Sequence, residues 1–276
     1  MAGDAVSGAP AWKQGEDAAL ALRLRLDYGN NPVNVWDAIR KRGVSLALED
    51  FGEDGGDGRY MTKSDRALII VNSAKRIARQ RFTAAHELGH HEMHRHGQPN
   101  LLIVDDDIFA SKDPLEVAAN AFAGSFLAPA AGLASALGEK RNADVSPLDV
   151  ASLMGDFGVS YETAVYRLHN SGLITSPCRD NLIAQGRGNV EAMLNELGID
   201  ETRVLPNKAL LPLPPDYVEH VVTLWRHRHI SDARFAEMLR LTPEMADAYR
   251  QRRGIERPEL PAYDQEAAAK LLEELA

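Results

Sequence analysis

The spacing of apolar and polar residues in the first half of the chain predicts an α+β domain with a small sheet. Apolar positions at helical intervals predict helices, and short runs rich in Leu, Ile and Val predict strands. Asp113 suits a helix N-cap and Pro114 suits the first helical turn, so together they mark a helix start. The predicted order is helices over about 16–28 and 33–42, strands at 44–48, 60–61 and 67–71, and helices over about 76–95 and 113–128.

The second half of the chain is predicted to contain two pairs of short helices. The first pair, over about 146–170, surrounds a turn at Gly158, and the second pair covers about 216–229 and 231–252. Residues 176–190 show no clear pattern. The predicted organisation is a flexible tail at 1–15, an α+β domain at 16–135, a helix-turn-helix-like module at 145–175, a proline-rich linker at 205–215 and a helical module at 216–276.

The composition narrows the class and the compartment of the protein. The chain has 276 residues, a formal net charge of -9 and a single cysteine, Cys178. The negative charge argues against a general affinity for nucleic acid, and one cysteine excludes both an intramolecular disulfide and a four-cysteine zinc site. We find no run of about 18 apolar residues and no signal peptide. A cytoplasmic protein without membrane association is therefore expected.

A metal site is predicted by the run HELGH at residues 86–90. On a helix, His86 and His90 lie about 6 Å apart along the axis and about 40° apart around it, so both imidazoles can reach one ion. Glu87 is turned by about 100° from His86 and can approach a reacting water without being a ligand. Zinc held by three protein groups activates water and polarises a carbonyl. Glu87 can take a proton from the water and pass it to the departing amine.

The third ligand of such a site has to come from another part of the chain. Glu116 is the best candidate, although Asp113-x-x-Glu116 also suits an N-terminal capping arrangement. The aspartates Asp105, Asp106 and Asp107 compete with Glu116 for this role. Asn120, one turn after Glu116, could orient a ligand or cap polar backbone nearby.

Three more histidines follow the motif. His94 shares a helix face with His86 but lies about 12 Å from it along the axis, too far for both to bind one ion in a straight helix. We therefore predict a packing or orienting role for His94, and surface positions for His91 and His96. A bare HExxH motif also occurs in solvated helices, so the preceding strand and the following acidic helix are needed to support the metal site.

Several runs of the sequence resemble the ImmA/IrrE metallopeptidases. They are 69–72 (IIVN), 79–90 (RQRFTAAHELGH) and 116–123 (EVAANAFA), the last of which precedes Pro129. Residues 32–35, 158–160 and 166–168 also fit the family, and the resemblance covers about 17–175 and, more loosely, 212–250. The resemblance implies a zincin-like peptidase domain with zinc as cofactor, the ligands His86, His90 and Glu116, and Glu87 as the catalytic base. It also implies a substrate class, helix-turn-helix transcriptional repressors, cut to release stress, prophage or mobile-element genes.

Other residues around the motif have two alternative roles or an expected change of exposure. Family members often carry large apolar residues where this chain has His91 and Glu92, so this face of the helix is expected to be more exposed here. Tyr60 could donate to an oxyanion, although packing in the core or sheet is the simpler role. A substrate must be extended to reach the metal, and the strand at 67–71, if it lies at the sheet edge, could hold it by strand addition.

The competing hypothesis is a DNA-binding transcriptional regulator with a structural or degenerate zinc site. Residues 146–172 have helix-turn-helix character, but three acids against Arg167 give a net charge of -2, a poor match for phosphate contacts. The charge of residues 216–252 suits phosphate contacts only slightly better. The helical modules could instead bind the substrate protein or a regulator. The intact Glu87 argues against a noncatalytic scaffold.

Overall fold

The secondary structure of the first half follows the predicted order closely. The computed structural model describes residues 9–95, 100–105, 108, 111–199, 215–239 and 241–257. The prediction missed one short strand, β4, and the first helix begins at Ala11, within the segment 1–15 predicted as a tail. The elements are α1 (Ala11–Arg25), α2 (Val35–Lys41), β1 (Ser45–Glu49), β2 (Gly58–Lys63), β3 (Arg66–Asn72), α3 (Ile77–His94), β4 (Leu102–Asp105) and α4 (Pro114–Leu127).

The second half of the described chain is helical. The elements are α5 (Ala130–Leu137), α6 (Pro147–Phe157), α7 (Tyr161–Asn170), α8 (Ser176–Gly186), α9 (Val190–Glu196), α10 (Pro215–Arg226), α11 (Asp232–Met238) and α12 (Pro243–Arg253). Helix α8 lies within residues 176–190, where no pattern was found, and α9 begins at the end of that segment. The single helix predicted at 231–252 is wrong: the Thr242 hydroxyl caps Met245 N–H and Pro243 opens a new helix, α12.

The sheet has the strand order β1-β3-β2-β4. Strands β1 and β3 are parallel, whereas β2 is antiparallel to both β3 and β4. Strand β3 therefore lies inside the sheet, and the prediction that residues 67–71 could form a peptide-binding edge is wrong. Among the described strands, β1 and β4 are the edges, and β4 ends at Asp105.

Helix α4 begins where the sequence predicts. The Asp113 carboxylate accepts a hydrogen bond from Leu115 N–H at 2.8 Å, and Pro114 occupies the first turn, where its missing N–H costs nothing. This cap fixes the start of the helix and places Glu116 in its first turn. Glu116 therefore lies at the end of α4 that carries the positive pole of the helix dipole.

One hydrophobic core joins the sheet, α1, α3 and α4 to the later helices. Leu22, Ile69, Leu88 and Phe122 are fully buried in it, and Phe157 of α6 belongs to the same cluster. The stretch Pro114–Leu137 is apolar and long enough to pass a length-and-composition test for a membrane span, but 61% of the tested window is buried inside the fold. It serves here as core helices.

The helices of the segment predicted as a helix-turn-helix-like module share this core. Arg167 of α7 is buried, donates to Glu16 Oε1 of α1 at 3.1 Å and to the carbonyl of Ala128 at 3.1 Å. Helix α7 is therefore held against α1 and the end of α4 by a partly buried ion pair as well as by apolar packing.

The chain divides into two compact units, Met1–Leu211 and Pro212–Ala276. The second unit has its own small core of α10, α11 and α12, in which Val221, Trp225 and Phe235 are buried. Most of the linker predicted at 205–215 lies outside the described residues, as does the part of the predicted C-terminal module beyond residue 257.

Candidate metal centre

The middle of α3 carries the HELGH run into the interior of the first unit. His86, Glu87 and His90 are all 0% exposed, and they lie on the part of α3 that faces the sheet and α4. Gly89 permits the close approach of α4, because a Cβ at this position would lie 3.1 Å from the ring of Phe122. The glycine inside the motif therefore helps to bring Glu116 of α4 against the two histidines.

Four side chains converge on one point. The Nε2 atoms of His86 and His90 are 3.0 Å apart, and the two oxygens of Glu116 lie 3.1 Å from His86 Nε2 and 3.4 Å from His90 Nε2. Asp105 Oδ2 lies 3.4 Å from His86 Nε2. One donor atom from each of the four residues falls within 4.8 Å of all the others.

These distances fit a bound cation. A tetrahedral ion with bonds of about 2.0–2.1 Å separates its ligand atoms by roughly 3.3 Å, close to the separations observed here. Asp105 Oδ2 and Glu116 Oε2 are buried and find no hydrogen-bond partner among the residues that the structure describes. Buried carboxylate oxygens without donors are costly unless a cation compensates them. The group therefore has the donor chemistry and the geometry of a divalent metal site.

Two further residues orient the histidines. His86 Nδ1 lies 3.0 Å from Asn120 Oδ1, and the Asn120 amide in turn donates to the carbonyl of Ile108. This arrangement keeps the proton on Nδ1 and leaves the lone pair of Nε2 for the ion. His90 Nδ1 lies 2.8 Å from His94 Nδ1, so His94 contacts His90 from the side away from the cluster.

The charges of the cluster are strongly coupled. Burial lowers the pKa of His86, but the carboxylates of Asp105 and Glu116 outweigh burial and raise it above its ordinary value. For Glu116, burial acts to raise the pKa of the carboxyl, yet the neighbouring imidazoles of His86 and His90 dominate and lower it. Burial lowers the pKa of His94 to about 4, with a smaller contribution from His90. His94 therefore stands neutral beside the site near pH 7.

Glu87 lies beside the cluster without belonging to it. Its carboxylate is fully buried, and among the described residues neither oxygen has a hydrogen-bond partner. Burial raises the pKa of Glu87 well above its ordinary value, and the nearby carboxylates of Asp105 and Glu116 raise it further. A cation held by the cluster would oppose this shift and favour the ionised form that a base requires.

Tyr60 is not among the groups that the fold brings to the cluster. Its side chain is fully buried in the sheet, and its hydroxyl lies 3.0 Å from His91 Nδ1. Burial raises the pKa of Tyr60 to about 12, so the hydroxyl stays protonated.

The predicted exposure around His91 and Glu92 is wrong. His91 is 5% exposed because Tyr60 and the sheet cover it. The Glu92 side chain is 7% exposed and forms ion pairs with Arg25 of α1 and Arg42, which follows α2. Two arginines supply the compensation that a largely buried carboxylate needs. His96, Asp106 and Asp107 lie outside the described residues.

Two neighbours of Glu87 escaped the sequence analysis because they lie just before the strand that was predicted at 60–61. A Cβ on Gly58 would lie 2.5 Å from Glu87 Oε1, so only glycine leaves room for the carboxylate. Asp57 is 2% exposed and forms a two-point ion pair with Arg79 of α3. A glycine at the start of a strand, next to an aspartate, was the available signal for this close approach.

Comparison with known proteins agrees with this site. Residues 39–169 match the family model Peptidase_M78, described as the IrrE N-terminal-like domain. The matched range contains α3, β4 and α4 and therefore all four residues of the cluster. A comparison with curated proteins found no match.

The fold and the site together define a zincin-like metallopeptidase domain, built from a small mixed sheet, a helix with two histidines and a second helix with an acid. Residues 39–169 are similar to the peptidase domain of the ImmA/IrrE family, and the resemblance noted from the sequence is confirmed over these residues.

Proposed function

We propose that this protein is a zinc-dependent endopeptidase in which His86, His90 and Glu116 hold the ion and Glu87 is the catalytic base. The observation that carries the proposal is the convergence of both imidazole Nε2 atoms and the Glu116 carboxylate on one point, with Glu87 directly beside them. Two nitrogens and one carboxylate are a ligand set that suits zinc and leaves a position for the reaction.

The residues of the chain divide the chemistry between them. When bound, zinc supplies a Lewis acid for water and for the scissile carbonyl. Glu87 takes the proton of the attacking water at its carboxylate and delivers it to the departing amine. Asn120 holds His86 in the tautomer that presents Nε2, and the closed packing around Glu87 excludes bulk water.

The peptide substrate is proposed to pair with β4. This strand is an edge of the sheet, pairs with β2 on one side, and ends at Asp105 in the cluster. Leu102 and Val104 are 61% and 50% exposed on it, so a strand arriving at this edge of the described sheet would meet apolar side chains as well as backbone. A peptide added here runs past the metal-binding residues in an extended form.

The proposed substrate is a helix-turn-helix repressor, cut in the cytoplasm in an exposed or locally unfolded segment. The family resemblance supplies this substrate class, and the site supplies the need for an extended peptide. A folded helix cannot enter, because its carbonyls already accept hydrogen bonds within the helix. Selectivity therefore requires docking elsewhere on the protein, and the separate C-terminal unit is the proposed docking module.

The DNA-binding alternative has weaker support in the fold. Arg167 of α7 is occupied by Glu16 and is not available to phosphate. In the second unit, Arg250 stacks over Trp225 at 4.5 Å and pairs with Asp232 and Asp247. These arginines stabilise the fold, and they weaken the case for a phosphate-binding face.

Incubation with a repressor tests the proposal. The zinc-loaded full-length protein is mixed with the helix-turn-helix repressor encoded beside its gene, with and without chelator, and fragments are identified by mass spectrometry. One or two cuts in a non-helical segment are expected, and none with chelator. An unrelated folded helical protein is the control and should stay intact. A repressor that remains whole under all conditions contradicts the substrate class.

A further inference from the structure

Asp105 is the one member of the cluster that a three-ligand zinc site does not need. It is the last residue of β4 and is 8% exposed, and its Oδ2 lies 3.4 Å from His86 Nε2. Within the described part of the chain this oxygen has no hydrogen-bond partner. Its main chain is fixed, since the Asp105 carbonyl accepts from Asp57 N–H at 2.8 Å. The side chain is therefore held into the cluster by a well-anchored strand end.

A buried Asp105 carboxylate without a compensating partner would destabilise the fold. A carboxylate removed from water costs several kcal/mol unless an opposite charge or donors compensate it. The neighbouring Glu116 carries the same charge and adds to the cost. A divalent cation bound by His86, His90 and Glu116 would lie within reach of Asp105 and compensate its charge.

Coordination number then distinguishes two states of the site. Zinc sites with four protein ligands are closed and structural, whereas catalytic sites keep one position free. With Asp105 as ligand, this site has four protein donors: Asp105 Oδ2 lies 3.4 Å from His86 Nε2, and all four donor atoms lie within 4.8 Å of one another. Without Asp105, the site has three donors and one free position.

We propose that Asp105 is a fourth protein ligand of the resting metal ion and leaves the ion when a peptide occupies the site. The proposal rests on the proposed zinc site. The resting protein is then a closed, latent peptidase, and the edge strand that receives the peptide also carries the residue that closes the site. Release needs only rotation of the Asp105 side chain or a small shift of β4, which is paired on one side alone in the described sheet.

Cobalt and a small metal-binding inhibitor test this role without any measurement of proteolysis. Full-length wild type, Asp105→Ala, Asp105→Asn and the control Asp65→Ala are loaded with one equivalent of Co²⁺, whose visible spectrum reports the ligands and geometry of the ion. Asp65 is exposed in the turn between β2 and β3, so its removal changes the charge equally but leaves the cluster intact. Acetohydroxamate is then titrated into each protein.

If Asp105 competes with the inhibitor for the ion, its removal should raise the affinity for acetohydroxamate and lower the affinity for Zn²⁺. For Asp105→Ala we expect acetohydroxamate to bind about tenfold more tightly than in wild type, while affinity for Zn²⁺ falls by about tenfold or more. Asp105→Asn, which keeps the shape of the side chain, should change both constants in the same directions by less, and Asp65→Ala should match wild type. A packing role for Asp105 would instead weaken the binding of metal and inhibitor together.

The outcomes separate this inference from the proposed function. If wild type and both Asp105 variants bind cobalt with the same spectrum and the same inhibitor affinity, Asp105 is not a ligand, although the metal site stands. If wild type binds no stoichiometric Co²⁺ or Zn²⁺, the proposed function fails first. Circular dichroism and thermal unfolding verify that each variant is folded. If Asp105→Ala does not fold, the comparison is made with Asp105→Asn.

Discussion

Glu87 is the residue on which the proposed chemistry depends most. It is fully buried, it lies between the Asp105 side of the cluster and β2, and Gly58 leaves just enough room for its carboxylate. The carboxylate is therefore held in place by packing, since no described residue donates a hydrogen bond to it. Glu87 moves a proton without holding the ion. A substitution of Glu87 can therefore remove proton transfer and leave metal binding intact.

Substitution Glu87→Gln should abolish proteolysis and leave the metal bound. The amide keeps the shape of the side chain but cannot accept the proton of the attacking water, so we expect a loss of about 10²–10⁴-fold in kcat/KM. Metal content by mass spectrometry should remain at one ion per chain. Full activity in the folded variant would mean that another group is the base.

The sequence predicted the residues of the site that belong to a short local pattern. His86, Glu87 and His90 are defined by helical spacing, whereas Glu116 was the best of several acidic candidates for the third ligand. The sequence could not decide between Glu116 and the aspartates, because the path between α3 and α4 is set by tertiary packing. Gly58 was missed for the same reason: its role depends on a close contact with a side chain of another element.

At the scale of elements, the site is an interface between α3, α4 and the end of β4. Helix α3 supplies the imidazoles, α4 supplies Glu116 and Asn120, and both helices are held by the core that they share. Elements with strong periodicity were predicted within a few residues. Strand β4 was missed because it has only four residues, and α8 and α9 because few of their residues are buried.

His94 tests the geometry of α3. We expect His94→Ala to retain one metal ion per chain, because His94 contacts His90 Nδ1 and lies about 12 Å along the axis from His86. Loss of this orienting contact should weaken metal affinity by about tenfold, measured by competition with a chelator. His229→Ala, an exposed position in the second unit, is the matched control. Loss of the ion from a folded His94→Ala protein would show that His94 is a ligand.

At the scale of the whole molecule, the chain separates a catalytic unit from a small helical unit. The boundary at residues 211–212 lies well after the helix-turn-helix-like segment, since α6 and α7 contribute Val150, Phe157 and Leu168 to the first core. A chain ending near residue 135 would lose this apolar contribution and expose the face that it covers. The sequence pattern showed helices here, but it could not show which core they enter.

Truncation at residue 211 should separate hydrolysis from recognition. The shortened chain keeps the whole first core and all residues of the cluster, so metal content and thermal unfolding of this unit should be unchanged. Cleavage of the intact repressor should fall by about 100-fold, because the docking unit no longer raises the local concentration of substrate. An unstructured peptide with the same cleavage sequence should be cut equally by both chains. Equal cleavage of the repressor would place recognition in the first unit.

The most direct measurement of the central claim is the rate of repressor cleavage against equivalents of zinc added to chelator-stripped full-length protein. With one cluster of His86, His90 and Glu116 as the catalytic centre, the stripped protein should be inactive. The rate should then rise linearly and level off at one zinc per chain. Full cleavage by metal-free protein, or no cleavage at any zinc concentration by a folded protein that binds the ion, would contradict the account.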